Sequence, residues 1–317
     1  MSGTASARDN HVNAAKAAKE TVLLVPIDLR DRAAVVVTGK DRTSWLNGLV
    51  TCDLAKLAPG EAAYGLLVEK KGRIQTDFFI VEAAYIGGDA FALAVPSKLR
   101  EETLSTLDHY LIMENAELSS PDLAFFAMHG PRAAEVARAA GARWTGTLDL
   151  LGEGGAIVAV PAQERAGFES RLGSLVRDAG GAIADDATWN ALRIERGLPR
   201  FGHEFDNTYY PQEASLEKLA VSFDKGCYLG QEVVYMLENR GHVKKKLVPL
   251  DIEGEATLDA GALVSTPDGA EVGDVKSSAL GPFGGHAVAI AAVKWAQCKP
   301  GTELRVGGRV ARVRAFP

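Results

Sequence analysis

A chain of 317 residues exceeds the length at which one hydrophobic core keeps growing, so two or three domains are expected. Its composition, 47% apolar and 24% charged, is that of a globular protein, and a net charge of -6 argues against a general nucleic-acid or membrane-surface binder, which needs a basic face to meet phosphates, while leaving room for a local basic patch. The three cysteines, Cys52, Cys227 and Cys298, are too scattered for a disulfide framework or a zinc site and point to a reducing, cytoplasmic setting.

In chain order, Met1 to Glu20 is small, polar and Ala-rich and reads as a disordered start, and no later run reaches the roughly 18 apolar residues of a membrane span. Thr21 to Pro26 and Ala33 to Val37 are β-branched runs split by polar Asp28 to Arg32, a strand, turn, strand pattern. Gly39-Lys40-Asp41 leads into a predicted helix over Arg42 to Val50, with Asp41 available as its cap. Ala63 to Val68 and Ile74 to Val81 flank Glu69-Lys70-Lys71-Gly72 as a hairpin, and alternation allows Asp77, in its second strand, to face water.

Phe91 to Val95 is a predicted strand, followed by a helix over Ser97 to Ile112 that buries Leu99, Leu104, Leu107, Tyr110 and Leu111. The order then repeats: strand Leu123 to Met128, helix Pro131 to Ala140, strand Ala156 to Val160, helix Ala166 to Ala179. Two such units suggest an α+β body of two similar halves. Asp186 to Arg196 is a helix stopped by Gly197 and Pro199. From Val248 six short β runs alternate with Gly, Pro and Asp turns, the pattern of a small antiparallel barrel, with a domain boundary near Lys246. The run Lys244-Lys245-Lys246 before it reads as a solvated edge.

One stretch stands apart. In Lys225-Gly226-Cys227-Tyr228-Leu229-Gly230-Gln231-Glu232 a thiol sits between a lysine and a Gln-Glu pair, with glycines on both sides. Glycine permits a sharp turn, and a nearby cation favours the thiolate, the form that is a nucleophile or soft-metal ligand. The competing reading, the commoner fate of a free cysteine, is a small buried apolar residue in a turn.

This octet resembles the K-G-C-(F/Y)-x-G-Q-E segment of the YgfZ family of folate-binding proteins, relatives of the aminomethyltransferase (T-protein) of the glycine cleavage system. Leu192 to Pro199, Gly202-His203-Glu204, and Pro211 with Glu213 are similar to the L-R-x-E-x-G-x-P, G-x-E and P-x-E segments of both groups. Leu46 to Asp53 resembles L-x-x-L-x-T-N-D, with Cys52 in place of the asparagine, and Val272 to Ser277 and Ala289 to Ala291 resemble barrel strands.

The resemblance implies an α+β, three-domain cloverleaf ring around a tetrahydrofolate channel: lobes over residues 21–120 and 121–246, then a C-terminal antiparallel β-barrel over 247–317. It implies that Glu195 hydrogen-bonds the pterin, as a carboxylate accepting paired N–H bonds can. Asn47, Asp53, Arg193, Lys225, Tyr228, Gln231 and Arg240 complete the implied folate set, although Arg193 could equally anchor its helix through a buried pair. The acidic pair of the aminomethyltransferases is here Asp77-Phe78, which retains one carboxylate.

Two functions follow from the resemblance. In one the protein is a folate-dependent accessory factor for assembly or repair of iron-sulfur client enzymes, including a radical tRNA-modifying enzyme, with Cys227 as the functional thiol, either a transient Fe-S ligand or a thiol donor. In the other it is a C1-transfer enzyme with Asp77 as acid/base and Cys227 structural. Neither implies a resident metal, direct sequence-specific nucleic-acid binding or membrane association, and the expected state is a monomer. A cation at Lys225 is expected to sit beside Cys227, displayed at the surface by Gly226 and Gly230.

Overall fold

A computed structural model describes residues 2–25, 31–85, 88–142 and 144–316. Two compact units emerge, one of residues 16–185 with 218–231, the other of residues 1–15, 186–217 and 232–317.

The chain opens on a helix, α1 (Ser2–Glu20), where composition predicts disorder. Ala14, Ala15, Ala17 and Ala18 are buried, and small side chains at this spacing let a helix pack closely. The Ala18 carbonyl lies so near Gly130 that a Cβ there would come within 2.9 Å of it.

The elements that follow are β1 (Leu23–Val25), β2 (Arg32–Thr38), α2 (Arg42–Asn47), β3 (Ala62–Val68), β4 (Ile74–Tyr85), β5 (Gly88–Pro96), α3 (Arg100–His109) and β6 (Glu117–Ser119). Then come β7 (Leu123–His129), α4 (Ala133–Ala140), β8 (Trp144–Thr147), β9 (Gly155–Pro161), α5 (Arg165–Asp178) and β10 (Ala182–Ile183). They form two five-stranded sheets, ordered β3-β4-β5-β2-β6 and β10-β1-β7-β9-β8. The Glu69–Gly72 hairpin is as expected, with Leu66 opposite Asp77.

β1 does not pair with β2, as the strand, turn, strand pattern predicts; it lies antiparallel to β7 and parallel to β10 in the second sheet. Most of the predicted turn, Asp28 to Arg30, lies outside the described residues.

Each sheet buries one face under helices: Val35, Val37, Phe78 and Ile80 pack with Trp45 and Leu46 of α2, and Phe126 and Met128 pack with Val136 and Phe168 of α4 and α5. The opposite faces, with Val36, Val81, Ala92, Phe125 and Ile157, are buried too. Strands covered on both sides read as continuous apolar runs, which is why these were legible. Asp41 does not cap α2; its carboxylate accepts from the Asn115 amide at 2.8 Å. α3 is shorter than predicted, because Tyr110 leaves the helix and its carbonyl accepts from Trp45 Nε1 at 3.0 Å, and Ile112 is 81% exposed.

Three further helices follow, α6 (Asp186–Glu195), α7 (Glu217–Ala220) and α8 (Gln231–Asn239). The barrel has all six predicted strands: β11 (Lys245–Ile252), β12 (Leu263–Ser265), β13 (Glu271–Leu280), β14 (Ala287–Lys294), β15 (Glu303–Val306) and β16 (Arg309–Val313). They close in the order β11-β14-β13-β12-β15-β16 around Val248, Leu250, Val264, Ala289, Ala291 and Leu304. α6 packs on β13 and β14 and ends at Gly197, whose φ of +71° suits a residue without a Cβ.

The lysine run is no bare edge: the Lys245 ammonium lies 4.4 Å from the Tyr209 ring centre and Lys246 pairs with Glu217. Both sheets fall in one compact unit, and α6 falls in the unit that holds the barrel.

Candidate functional site

Three sequence motifs converge around Cys227. Thr51 Oγ1 donates to the Ala220 carbonyl at 2.6 Å and accepts from Leu66 N at 2.9 Å, while Ser222 N donates to Thr51 O at 2.9 Å. On the other side of the thiol, Leu229 N donates to Gly48 O at 3.0 Å. Gly230 has a φ of +75°, and a Cβ there would run into the Glu69 carbonyl of the hairpin turn. Between these anchors Cys227 is exposed, whereas Cys52 is buried and Cys298 half-buried. Burial pushes the Cys52 thiol up to about 12, against the Lys225 charge, and Cys298 up to about 11. Gly226 does not contribute as expected: its φ is not positive, and a Cβ there would meet nothing within 4 Å.

Lys225 also departs from expectation. Its Nζ donates to the carbonyls of Asn47 at 2.7 Å, Val50 at 2.8 Å and Cys52 at 2.6 Å, which takes all three ammonium protons. The side chain is therefore a clamp on the end of α2 and leaves no donor for Cys227 or a ligand. Burial lowers its pKa to about 8, opposed by Cys52 and Asp53. Neighbouring candidates are similarly engaged. Asn47 Oδ1 accepts from Leu54 N at 2.8 Å, Asp53 caps the turn after it through Ala55 N at 3.1 Å, and Gln231 Oε1 accepts from Tyr228 N at 3.3 Å. Tyr228 is buried with its ring 5.3 Å from the Lys225 ammonium, and its hydroxyl has no hydrogen-bond partner among the described residues. Arg240 is exposed.

Asp77 is 2% exposed, so it does not face water. Arg32 grips it in a fork, Nη1 to Oδ1 at 2.8 Å and Nη2 to Oδ2 at 2.9 Å, and Tyr64 donates to Oδ2 at 2.8 Å. The Arg32 guanidinium also stands 5.2 Å from the Phe79 ring centre. Three charge-assisted bonds tie this carboxylate into the fold.

In the other unit α6 carries Arg193 and Glu195. Arg193 is bound by Glu204 through a fork of two 3.0 Å bonds and by Asn190 at 2.8 Å, a buried pair that anchors the helix. Burial opposes the charge on Glu204, yet Arg193 overrides it and holds the carboxyl below its ordinary range.

Glu195 is arranged differently. It is 8% exposed, and its carboxylate takes one backbone donor, Phe283 N to Oε2 at 3.3 Å. Burial raises its pKa, moderated by the Phe283 amide and by Arg314, His286 and Arg196. Arg314 donates to the Glu195 carbonyl and lies 3.0 Å from Asp251, which also pairs with His286 at 3.1 Å; Arg196 stands 5.4 Å from the Phe283 ring centre. A buried, under-donated carboxylate with an aromatic ring and cations around it suits a planar ligand edge that carries N–H groups. Phe283, His286 and Arg314 were not singled out from sequence; the Gly281-Pro282-Phe283-Gly284-Gly285-His286 turn, with an aromatic and a histidine among breakers, was the available sign.

Among the described residues no group of His, Cys, Asp and Glu could hold a metal ion, and no helix is long and apolar enough to cross a membrane. Residues 5–145 match the GCVT N-terminal domain and residues 245–316 the glycine cleavage T-protein C-terminal barrel domain. The aminomethyltransferase of Herpetosiphon aurantiacus is 29% identical over 312 residues, 91% of this chain and 83% of that protein. The tRNA-modifying protein YgfZ of Aliivibrio fischeri is 27% identical over 274 residues, 83% of each chain. The solved glycine cleavage system aminomethyltransferase T from Bartonella henselae has the same fold, with a TM-score of 0.80 at 20% identity over 98% of this chain and 89% of that one.

Proposed function

The chain belongs to the GcvT-related family that includes the YgfZ proteins, and from that premise we propose a reduced-folate-binding accessory factor whose Cys227 thiol serves assembly or repair of iron-sulfur proteins, radical tRNA-modifying enzymes among them. The observation that carries this reading is the Cys227 loop, an exposed thiol between anchors at Ser222 and Leu229. A thiol held out of the fold in this way is placed to meet another macromolecule, and thiolates suit iron-sulfur clusters.

Glu195 supports the folate part. Its carboxylate fits an aminopyrimidine edge, whose paired N–H groups would answer the burial that raises its pKa. Bound tetrahydrofolate would supply a one-carbon carrier. The aminomethyl-transfer alternative needs Asp77 as acid or base, and Arg32 and Tyr64 already occupy that carboxylate, which ranks it second.

In cells lacking the protein, Cys227→Ser is expected to fail to restore iron-sulfur enzyme activity while Cys52→Ser and Cys298→Ser restore it. Full restoration by Cys227→Ser removes the thiol from the function. Methylene-tetrahydrofolate formed at enzyme-like rates from tetrahydrofolate and a lipoyl-bound aminomethyl donor would replace this reading with the alternative.

A further inference from the structure

The unit that holds both sheets builds one corner twice. β5 ends on Pro96 and β9 on Pro161, with φ and ψ of -53° and 128° at the first and -52° and 138° at the second. Each proline leads into a 3-10 turn, Ser97–Leu99 or Ala162–Glu164, and then into an arginine that starts a helix, Arg100 of α3 or Arg165 of α5. The amide after each proline returns to an aspartate carbonyl, Ser97 N to Asp31 O at 2.7 Å and Ala162 N to Asp122 O at 2.9 Å. Both corners open on one cavity of about 400 Å³, which Arg100, Arg165, Arg32 and Asp122 line together with Ser97, Ser120 and apolar side chains.

Arg32 is neutralised there by Asp77. Arg100 is 44% exposed and among the described residues pairs only with Glu101, itself 78% exposed, a rim contact that water screens. Arg165 is half-buried 5.7 Å from the Phe126 ring centre and pairs with no carboxylate among the described residues. Against these two cations stands Asp122. The starts of α3 and α5 add partial positive charge, set against Glu101 and Glu102 in the first turn of α3 and Glu164 just before α5.

We propose that this cavity binds a phosphate-bearing small molecule through the guanidinium groups of Arg100 and Arg165. A guanidinium presents two parallel N–H groups that match phosphoryl oxygens. The volume lies within the roughly 300–1,000 Å³ of small-ligand sites, so the ligand has a body beyond its phosphate. The site shares no residue with the Cys227 loop or the Glu195 cluster and stands apart from the folate reading.

The test is isothermal titration of the full chain at low ionic strength with inorganic phosphate and with phenyl phosphate. Both are expected to bind saturably, the monoester more tightly. Arg100→Gln or Arg165→Gln should weaken binding about tenfold, and Asp122→Asn should strengthen it about threefold, because a like charge is removed. Glu195→Gln and Cys227→Ser should leave it unchanged. No saturable binding by the native chain, a monoester no tighter than phosphate, or unchanged affinity in Arg100→Gln overturns the proposal. Arg100 is exposed, so that variant stays informative even if Arg165→Gln fails to fold.

Discussion

Asp77 and Glu195 are both buried carboxylates, 2% and 8% exposed, yet their surroundings answer them differently. Asp77 receives a guanidinium fork and a phenol hydroxyl, so its charge is neutralised inside the fold. Glu195 receives one backbone amide at 3.3 Å, and burial raises its pKa. The contrast shows that burial alone does not mark a ligand site. A saturated carboxylate is part of the frame, whereas an under-donated one stores an unmet demand that a ligand can fill.

The comparison breaks most sharply at Asp77. Asp77→Ala leaves Arg32 buried without its counter-charge and should destabilise the protein by about 3–5 kcal/mol in chemical unfolding; a loss under 1 kcal/mol would mean the pair is not the frame element described. Glu195→Gln should instead reduce tetrahydrofolate affinity by about 2–4 kcal/mol while unfolding stability shifts by less than about 0.5 kcal/mol. The pH sign follows from the raised pKa. The folded state holds the Glu195 proton to higher pH than the unfolded chain, so ionisation costs stability as pH rises through that range. Folate affinity that uses the ionised form should rise across the same interval and stay flat in Glu195→Gln, which titration calorimetry at several pH values would read.

Lys225→Met leaves three carbonyls at the end of α2 without their donor and should cost about 1–3 kcal/mol. Faster hydrogen exchange of the amides at Ser222 and Leu229 would locate the loss in the thiol loop; uniform exchange would deny the clamp. Smallest is Cys227→Ser, whose melting should shift by less than about 0.5 kcal/mol, because an exposed side chain carries little stability.

The barrel was legible because its strands are punctuated by Gly, Pro and Asp turns, a local property. The site was legible only in part, because its partners are distant in the chain. Lys225 finds carbonyls 173 to 178 positions upstream, and the Asp77 fork comes from Arg32, 45 positions away, so a nearest-neighbour reading set the lysine beside the thiol and the aspartate toward water. Glu195 meets Phe283 and Arg314, 88 and 119 positions later. For α1, alanine-rich composition is neutral between disorder and a packed helix, and the burial of Ala14 and Ala18 decides it.

The Lys225 clamp also sets a timetable. During synthesis Asn47, Val50 and Cys52 leave the ribosome long before the lysine that will join them, across 173 to 178 residues of chain. Closing so long a loop comes late and slowly, since its entropy is lost before its contacts form. A nascent or truncated chain thus carries a cysteine at the right place in sequence without the frame that presents it, and the positioned thiol reports that the first sheet and the distal segment have met.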